Sequence, residues 1–129
     1  GRLDIDTKIN SPYDIKIIAG ERSYVVQMVE EILADIPEQY SLSQNYPNPF
    51  NPITNINYSV PRSGSVTLAI YNIMGQRVTT LVSGNMKYGY HSVVWNGLDQ
   101  SGRQVSSGVY FSELSARGFR QTKKMLLLK

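Results

Sequence analysis

The sequence predicts an all-β protein whose main part is an antiparallel sandwich or barrel of six to seven short strands. Three observations carry that reading. Eight of the ten glycines fall between Gly64 and Gly118, spaced 5 to 11 residues apart. Between them run short segments rich in β-branched and aromatic residues, several alternating apolar with polar. Most of these runs end in clusters of Gly, Asn, Asp or Ser, the residues that turns require.

The first strand candidate is Tyr13 to Ala19, where Tyr13, Ile15 and Ile17 alternate with Asp14 and Lys16. Val25, Val26, Met28, Val29, Ile32, Leu33 and Ile36 follow a helical spacing that Pro37 would end. Against a helix, Glu30, Glu31 and Asp35 sit where its dipole disfavours anions. Residues 22–36 therefore read as a short helix, with an extended form left open. One strand and one helix cannot bury a core alone. They must dock on the sandwich, belong to another domain, or pair with a second molecule.

Tyr46-Pro47-Asn48-Pro49-Phe50-Asn51-Pro52 cannot be helix or inner strand, because three prolines remove backbone donors and hold their predecessors extended. It reads as a stiff lead-in across the end of the sandwich, with Tyr46 and Phe50 plugging its edge. Ile56, Tyr58 and Val60 alternate with Asn55, Asn57 and Ser59, and Pro61 to Gly64 turns the chain. Val66, Leu68 and Ile70 form the next inward face, and Asn72 to Gly75 is a turn in which Gly75 supplies a positive φ. A strand over about Gln76 to Val82 is broken by Ser83-Gly84-Asn85. Tyr90 to Trp95 follows, with His91, Val93 and Trp95 on one face. Val109 to Ala116 and Phe119 to Leu128 close the set as a hairpin around Arg117-Gly118. The predicted core is Val66, Leu68, Ile70, Val93, Trp95, Val109 and Phe111.

Composition narrows the function. The 129 residues are 41% apolar and 18% charged, and none is Cys, which removes disulfides, thiolate metal sites and cysteine nucleophiles. No apolar run approaches the ~18 to 20 residues of a membrane-spanning helix. The chain opens at Gly1 without a signal peptide, so an exported protein would here be a mature product or a fragment. Residues 1–39 hold eight acidic against four basic residues, a net −4, whereas residues 40–129 hold nine basic against two acidic, a net +7. That asymmetry points to two parts with different roles, an acidic segment 1–39 and a basic domain 40–129. The basic residues are scattered among turns with no nucleic-acid module, so an anionic surface or an acidic neighbour suits them better than nucleic acid.

Candidate chemistry is sparse. His91 is the only histidine, and a Ser–His–Asp set with Ser92 or Asp99 lacks a nucleophile elbow, so His91 reads as structural and the chain as non-enzymatic. Asp99-Gln100-Ser101-Gly102 offers one carboxylate where a calcium loop gathers several, and reads as an Asx-type turn closed by Gly102. Trp95 and the nine tyrosines could form a sugar platform, but Trp95 lies at an inward position and aromatic residues are ordinary sandwich filling. Neither a metal nor a cofactor is called for. Met125-Leu126-Leu127-Leu128 does not alternate and reads as a final strand buried on both faces.

Residues 41–129 resemble the C-terminal sorting domain of the type IX secretion system, in five blocks in order. The first is Ser41-Leu42-Ser43-Gln44-Asn45-Tyr46-Pro47-Asn48-Pro49-Phe50-Asn51-Pro52, and the second runs from Val66 to Gln76 with Gly75 in its turn. Gly89 to Gly97, containing Trp95, and Ser107-Gly108-Val109-Tyr110-Phe111 follow. The last is Gln121-Thr122-Lys123-Lys124-Met125-Leu126-Leu127-Leu128-Lys129. The middle also resembles the Ig-like domain of flagellar hook-capping proteins.

The resemblance implies an Ig-like β-sandwich that works as an address, directing an exported protein through the type IX translocon to the cell surface or medium after passage through the periplasm. It further implies removal by a sortase-like surface protease, release of the cargo or its attachment to anionic lipopolysaccharide, and a signal in Lys123, Lys124, Met125, Leu126, Leu127, Leu128 and Lys129. Residues 1–39 would then be the end of the cargo and its linker. Two other readings are weighed beside it. Residues 13–19 could complete a neighbour's sheet, building an extracellular filament by strand exchange. Alternatively, the domain could be a carbohydrate-binding accessory module.

Overall fold

A computed structural model describes residues 36–129. The strand expected over 13–19 lies outside the described residues, as does the segment 22–35. The described residues form seven strands in chain order: β1 (Ser41–Leu42), β2 (Thr54–Val60), β3 (Gly64–Asn72), β4 (Arg77–Met86), β5 (Gly89–Trp95), β6 (Gly108–Ala116) and β7 (Phe119–Leu127). They form two antiparallel sheets, one of order β1-β2-β5 and one of order β4-β3-β6-β7, giving the expected Ig-like sandwich. No helix among the described residues is long and apolar enough to cross a membrane.

The core follows from side-chain alternation. Ile56, Tyr58 and Val60 of β2 face Val66, Leu68 and Ile70 of β3, all at most 3% exposed. Leu42, Phe50, Trp95, Tyr110, Leu114, Met125 and Leu127 complete the cluster. Burying each aliphatic side chain stabilises the fold by about 1.5 to 3 kcal/mol relative to leaving it in water.

Four expectations need correction. In β6 the inward residues are Tyr110, Ser112 and Leu114, whereas Val109 and Phe111 point to the opposite, half-covered face. The run is apolar at both parities, so alternation alone did not fix its face; the register does, pairing Phe111 with Tyr71 and Lys124 on the outer surface. β4 runs through Ser83-Gly84-Asn85 to Met86, because the ladder to β3 pairs Ser65 with Asn85 and Gly64 with Met86 and overrides local turn propensity. In the last strand Met125 and Leu127 are fully buried while Leu126 is half-exposed and Leu128 is 50% exposed, so only one face is covered. Tyr46 is 80% exposed and only Phe50 plugs the sandwich.

Candidate functional site

Two sequence blocks singled out above, the lead-in Asn45–Pro52 and the terminal segment Lys123–Lys129, meet along one sheet edge. β7 pairs with β6 on one side only, leaving alternate backbone groups from Lys124 onward facing away from the sheet. An open edge of this kind invites pairing with other chains. Here the lead-in covers it. Phe50 N donates to Leu126 O and Leu128 N donates to Phe50 O, both at 3.0 Å, as a short parallel bridge. The Asn48 carboxamide oxygen accepts from Leu126 N at 3.0 Å, and Gln44 Nε2 donates to Lys124 O at 2.7 Å. Leu42 N donates to Gln121 Oε1 at 3.1 Å. Prolines suit this segment because a chain that pairs through alternate groups does not need every N–H.

The lead-in is itself held from within. Asn45, 2% exposed, donates from Nδ2 to Pro47 O at 3.0 Å and to Thr54 Oγ1 at 2.9 Å, while Thr54 Oγ1 donates to Pro47 O at 2.9 Å. Tyr46 exchanges both backbone hydrogen bonds with Asn55 at 2.9 Å, and the pairing turns its ring outward. This places Asn45 inside and Tyr46 outside, the physical reason Tyr46 does not plug the edge. Phe50 enters the core with its ring centroid 5.6 Å from that of Trp95. Trp95 also meets the edge of Tyr110 at 5.4 Å and donates Nε1–H to Leu98 O at 3.0 Å.

A glycine permits one of these contacts. At Gly97 φ is +76°, and a Cβ there would lie 3.2 Å from Pro52 Cβ and 3.3 Å from Pro52 O. The lead-in therefore closes over a position without a side chain. Gly75, at φ +80°, ends a turn in which Asn72 Oδ1 accepts from Met74 N and Gln76 N, each at 2.9 Å. Gly108 opens β6 opposite Leu127. The motif residues Phe50, Pro52, Trp95, Gly97 and Gly108 thus gather around the end of β7, and Gly75 sits apart in the β3–β4 turn. Gln44 and Gln121, which also tie the segments together, lie within the first and last blocks of the resemblance, but nothing in the sequence marked them as contacts between the two.

The exposed surface of the terminal segment is basic and apolar. Lys124, Leu128 and Lys129 are exposed, and Lys123 is half-buried on the inward side. Glu113 is engaged by Arg120 at 3.8 Å, and none of the three lysines makes an ion pair among the described residues.

The candidate reactive groups are dispersed. His91 stacks on Tyr58 at 5.2 Å, with Nε2 2.7 Å from Lys87 O. Burial raises the Tyr58 pKa above its ordinary value. Ser92 Oγ donates to Asn55 Oδ1 instead of meeting His91. Asp99 Oδ1 accepts from Ser101 N and Arg103 N at 2.9 Å each, closing the Asx-type turn expected there. The Arg103 backbone N–H, helped by that of Ser101 and by the Arg103 charge, lowers the Asp99 pKa below the usual aspartate value.

Comparison with known proteins agrees with this architecture. The family described as FlgD Ig-like domain matches residues 54–118. Among solved structures, dimeric latent PorU from Porphyromonas gingivalis aligns at TM-score 0.54 and 17% identity, over 70% of this chain and 9% of that one. FlgD from P. aeruginosa aligns at TM-score 0.45 and 23% identity, over 57% and 58% of the two chains. PorZ of P. gingivalis, described as an essential bacterial surface component of the type-IX secretion system, aligns at TM-score 0.47 and 17% identity, over 71% and 12%. The chain thus spans less than two thirds of each of these proteins. No curated protein gives a significant match.

Proposed function

The chain belongs to the FlgD Ig-like domain family, and from that premise we propose that residues 40–129 are a non-enzymatic sorting domain directing an exported protein through the type IX secretion system to the cell surface or medium. The observation that carries the proposal is the junction of the lead-in and the tail. Two blocks of the sorting-domain resemblance, 78 residues apart at the Asn48–Leu126 contact, build one edge of the sandwich. A linear tag would need no such support. A tail presented as a folded strand, with Lys124, Leu128 and Lys129 outward, needs a scaffold, and the family fold supplies it.

On this reading the translocon engages the terminal segment, and the proline-rich lead-in keeps that segment ordered and its edge closed to stray strand pairing. The domain is an address without catalysis of its own, and residues 1–39 belong to the cargo side. The test fuses residues 40–129 behind an exported reporter in a host carrying the secretion system. Deleting the last seven residues should leave the reporter in the periplasm. Surface delivery equal to that of the intact fusion would overturn the proposal.

A further inference from the structure

Five arginines lie in the described residues, and three are engaged by neighbours. Arg77 donates to Tyr71 Oη and Thr80 Oγ1, Arg103 pairs with Asp99, and Arg120 pairs with Glu113. The other two, Arg62 and Arg117, have no ion-pair or side-chain hydrogen-bond partner among the described residues, and both line the same cavity of about 350 Å³.

The topology brings them together. Arg62 lies in the turn between β2 and β3, and Arg117 in the turn between β6 and β7. The pairing of Val66 with Ala116 and of Thr67 with Ser115 sets those turns at the same end of the four-stranded sheet. The hydroxyls of Ser65, Thr67 and Ser115 also line the cavity and have no hydrogen-bond partner among the described residues. No carboxylate among the described residues lines it.

We propose that this cavity binds an oxyanion, a phosphate or sulfate group, between the Arg62 and Arg117 guanidiniums. Guanidinium presents a planar fork of donors that matches tetrahedral oxyanions bidentately, and hydroxyls satisfy the remaining oxygens. The cavity is roomier than a bare phosphate requires, so the group can be one end of a larger molecule. Free phosphate and a lipid phosphate headgroup share this chemistry. The inference does not depend on the sorting role, since neither Arg62 nor Arg117 lies in the lead-in or the terminal segment.

The test uses the full 129-residue chain, labelled with nitrogen-15 and titrated with sodium phosphate against sodium chloride of equal ionic strength. Phosphate should give saturable amide shifts confined to residues 62–67 and 115–117. The double variant Arg62→Gln/Arg117→Gln should weaken binding at least about tenfold, as expected for losing charge-assisted hydrogen bonds, with unchanged thermal unfolding. A second arm measures co-sedimentation with phosphatidylcholine vesicles, with and without phosphatidylglycerol. Capture that requires phosphatidylglycerol and both arginines assigns the lipid headgroup as a source, and phosphate shifts without capture assign a soluble one. The proposal is overturned if sodium chloride reproduces the shifts, if they spread evenly over Lys123, Lys124 and Lys129, or if neither probe binds in a way that depends on the two arginines.

Discussion

Replacing Phe50 with Ala separates a structural lead-in from a mere linker. Phe50 sits among prolines in a segment outside the main strands, yet it is 2% exposed and its ring packs 5.6 Å from Trp95. Truncating a buried Phe costs about 3 to 5 kcal/mol, because transfer energy is lost and a cavity remains. A domain of this size has about 5 to 15 kcal/mol in total, so the variant should lose a large part of its stability. Tyr46, four residues earlier in the same motif, is 80% exposed, and Tyr46→Ala should change stability by no more than about 0.5 kcal/mol. Trp95 is the only tryptophan and touches Phe50, so its fluorescence during urea unfolding reports on the junction itself. With a urea dependence of about 1 to 3 kcal/mol per molar, Phe50→Ala should lower the midpoint by about 1 M or more. A loss under about 1 kcal/mol, or equal losses for Phe50→Ala and Tyr46→Ala, would refute the view that the lead-in is part of the core.

Three further expectations follow from the same end of the sandwich and the adjoining turn. Gly97→Ala places a Cβ 3.2 Å from Pro52 Cβ at a positive φ, and should cost about 1 to 3 kcal/mol in urea unfolding, whereas a neutral result would mean the lead-in yields freely. Asn48→Ala removes the acceptor for Leu126 N–H and should cost about 1 kcal/mol while speeding amide exchange at Leu126; unchanged exchange would show that Asn48 does not hold β7. The lowered Asp99 pKa means that the carboxylate stabilises its turn above the usual aspartate range and loses that contribution as acid titrates it through its folded pKa. Protection of the Ser101 and Arg103 amides, corrected for intrinsic exchange, should therefore fall on acidification in the native protein and be low and pH-independent in Asp99→Ala; equal protection at neutral and acid pH would contradict this.

Much of the fold was legible because its central strands put one face into the core at alternate positions. Val66, Leu68 and Ile70 recur at every second position, between Thr67, the also buried Ala69 and Tyr71, and the Gly75 and Gly118 turns mark hairpin ends that the structure places as expected. The face of β6 was not legible. Val109, Tyr110 and Phe111 are consecutive and apolar, and the inward residue Ser112 is polar, fully buried and without a partner for its Oγ among the described residues. Its orientation is decided by Leu114 opposite Leu68 across the β3 pairing, information that resides in register and not in the strand itself. The outward turn of Tyr46 was hidden for a similar reason, since it depends on the bridge to Asn55. The sequence blocks identified the lead-in and the tail separately, but their contact is a tertiary fact. Short amides such as Asn48 and Gln44 satisfy backbone groups in many settings, and nothing local says which distant strand they will reach.

The central claim, that the folded terminal strand is an address read from its exposed side, is tested most directly by changing that side without touching the core. Lys124 and Leu128 point outward, whereas Met125 and Leu127 fill the sandwich. A reporter fused to residues 40–129 carrying Lys124→Glu and Leu128→Glu should keep a urea midpoint close to that of the native domain. Surface fractionation in a host with the type IX system should then find it retained in the periplasm. Delivery to the surface at the native level, with the fold intact, would contradict the account.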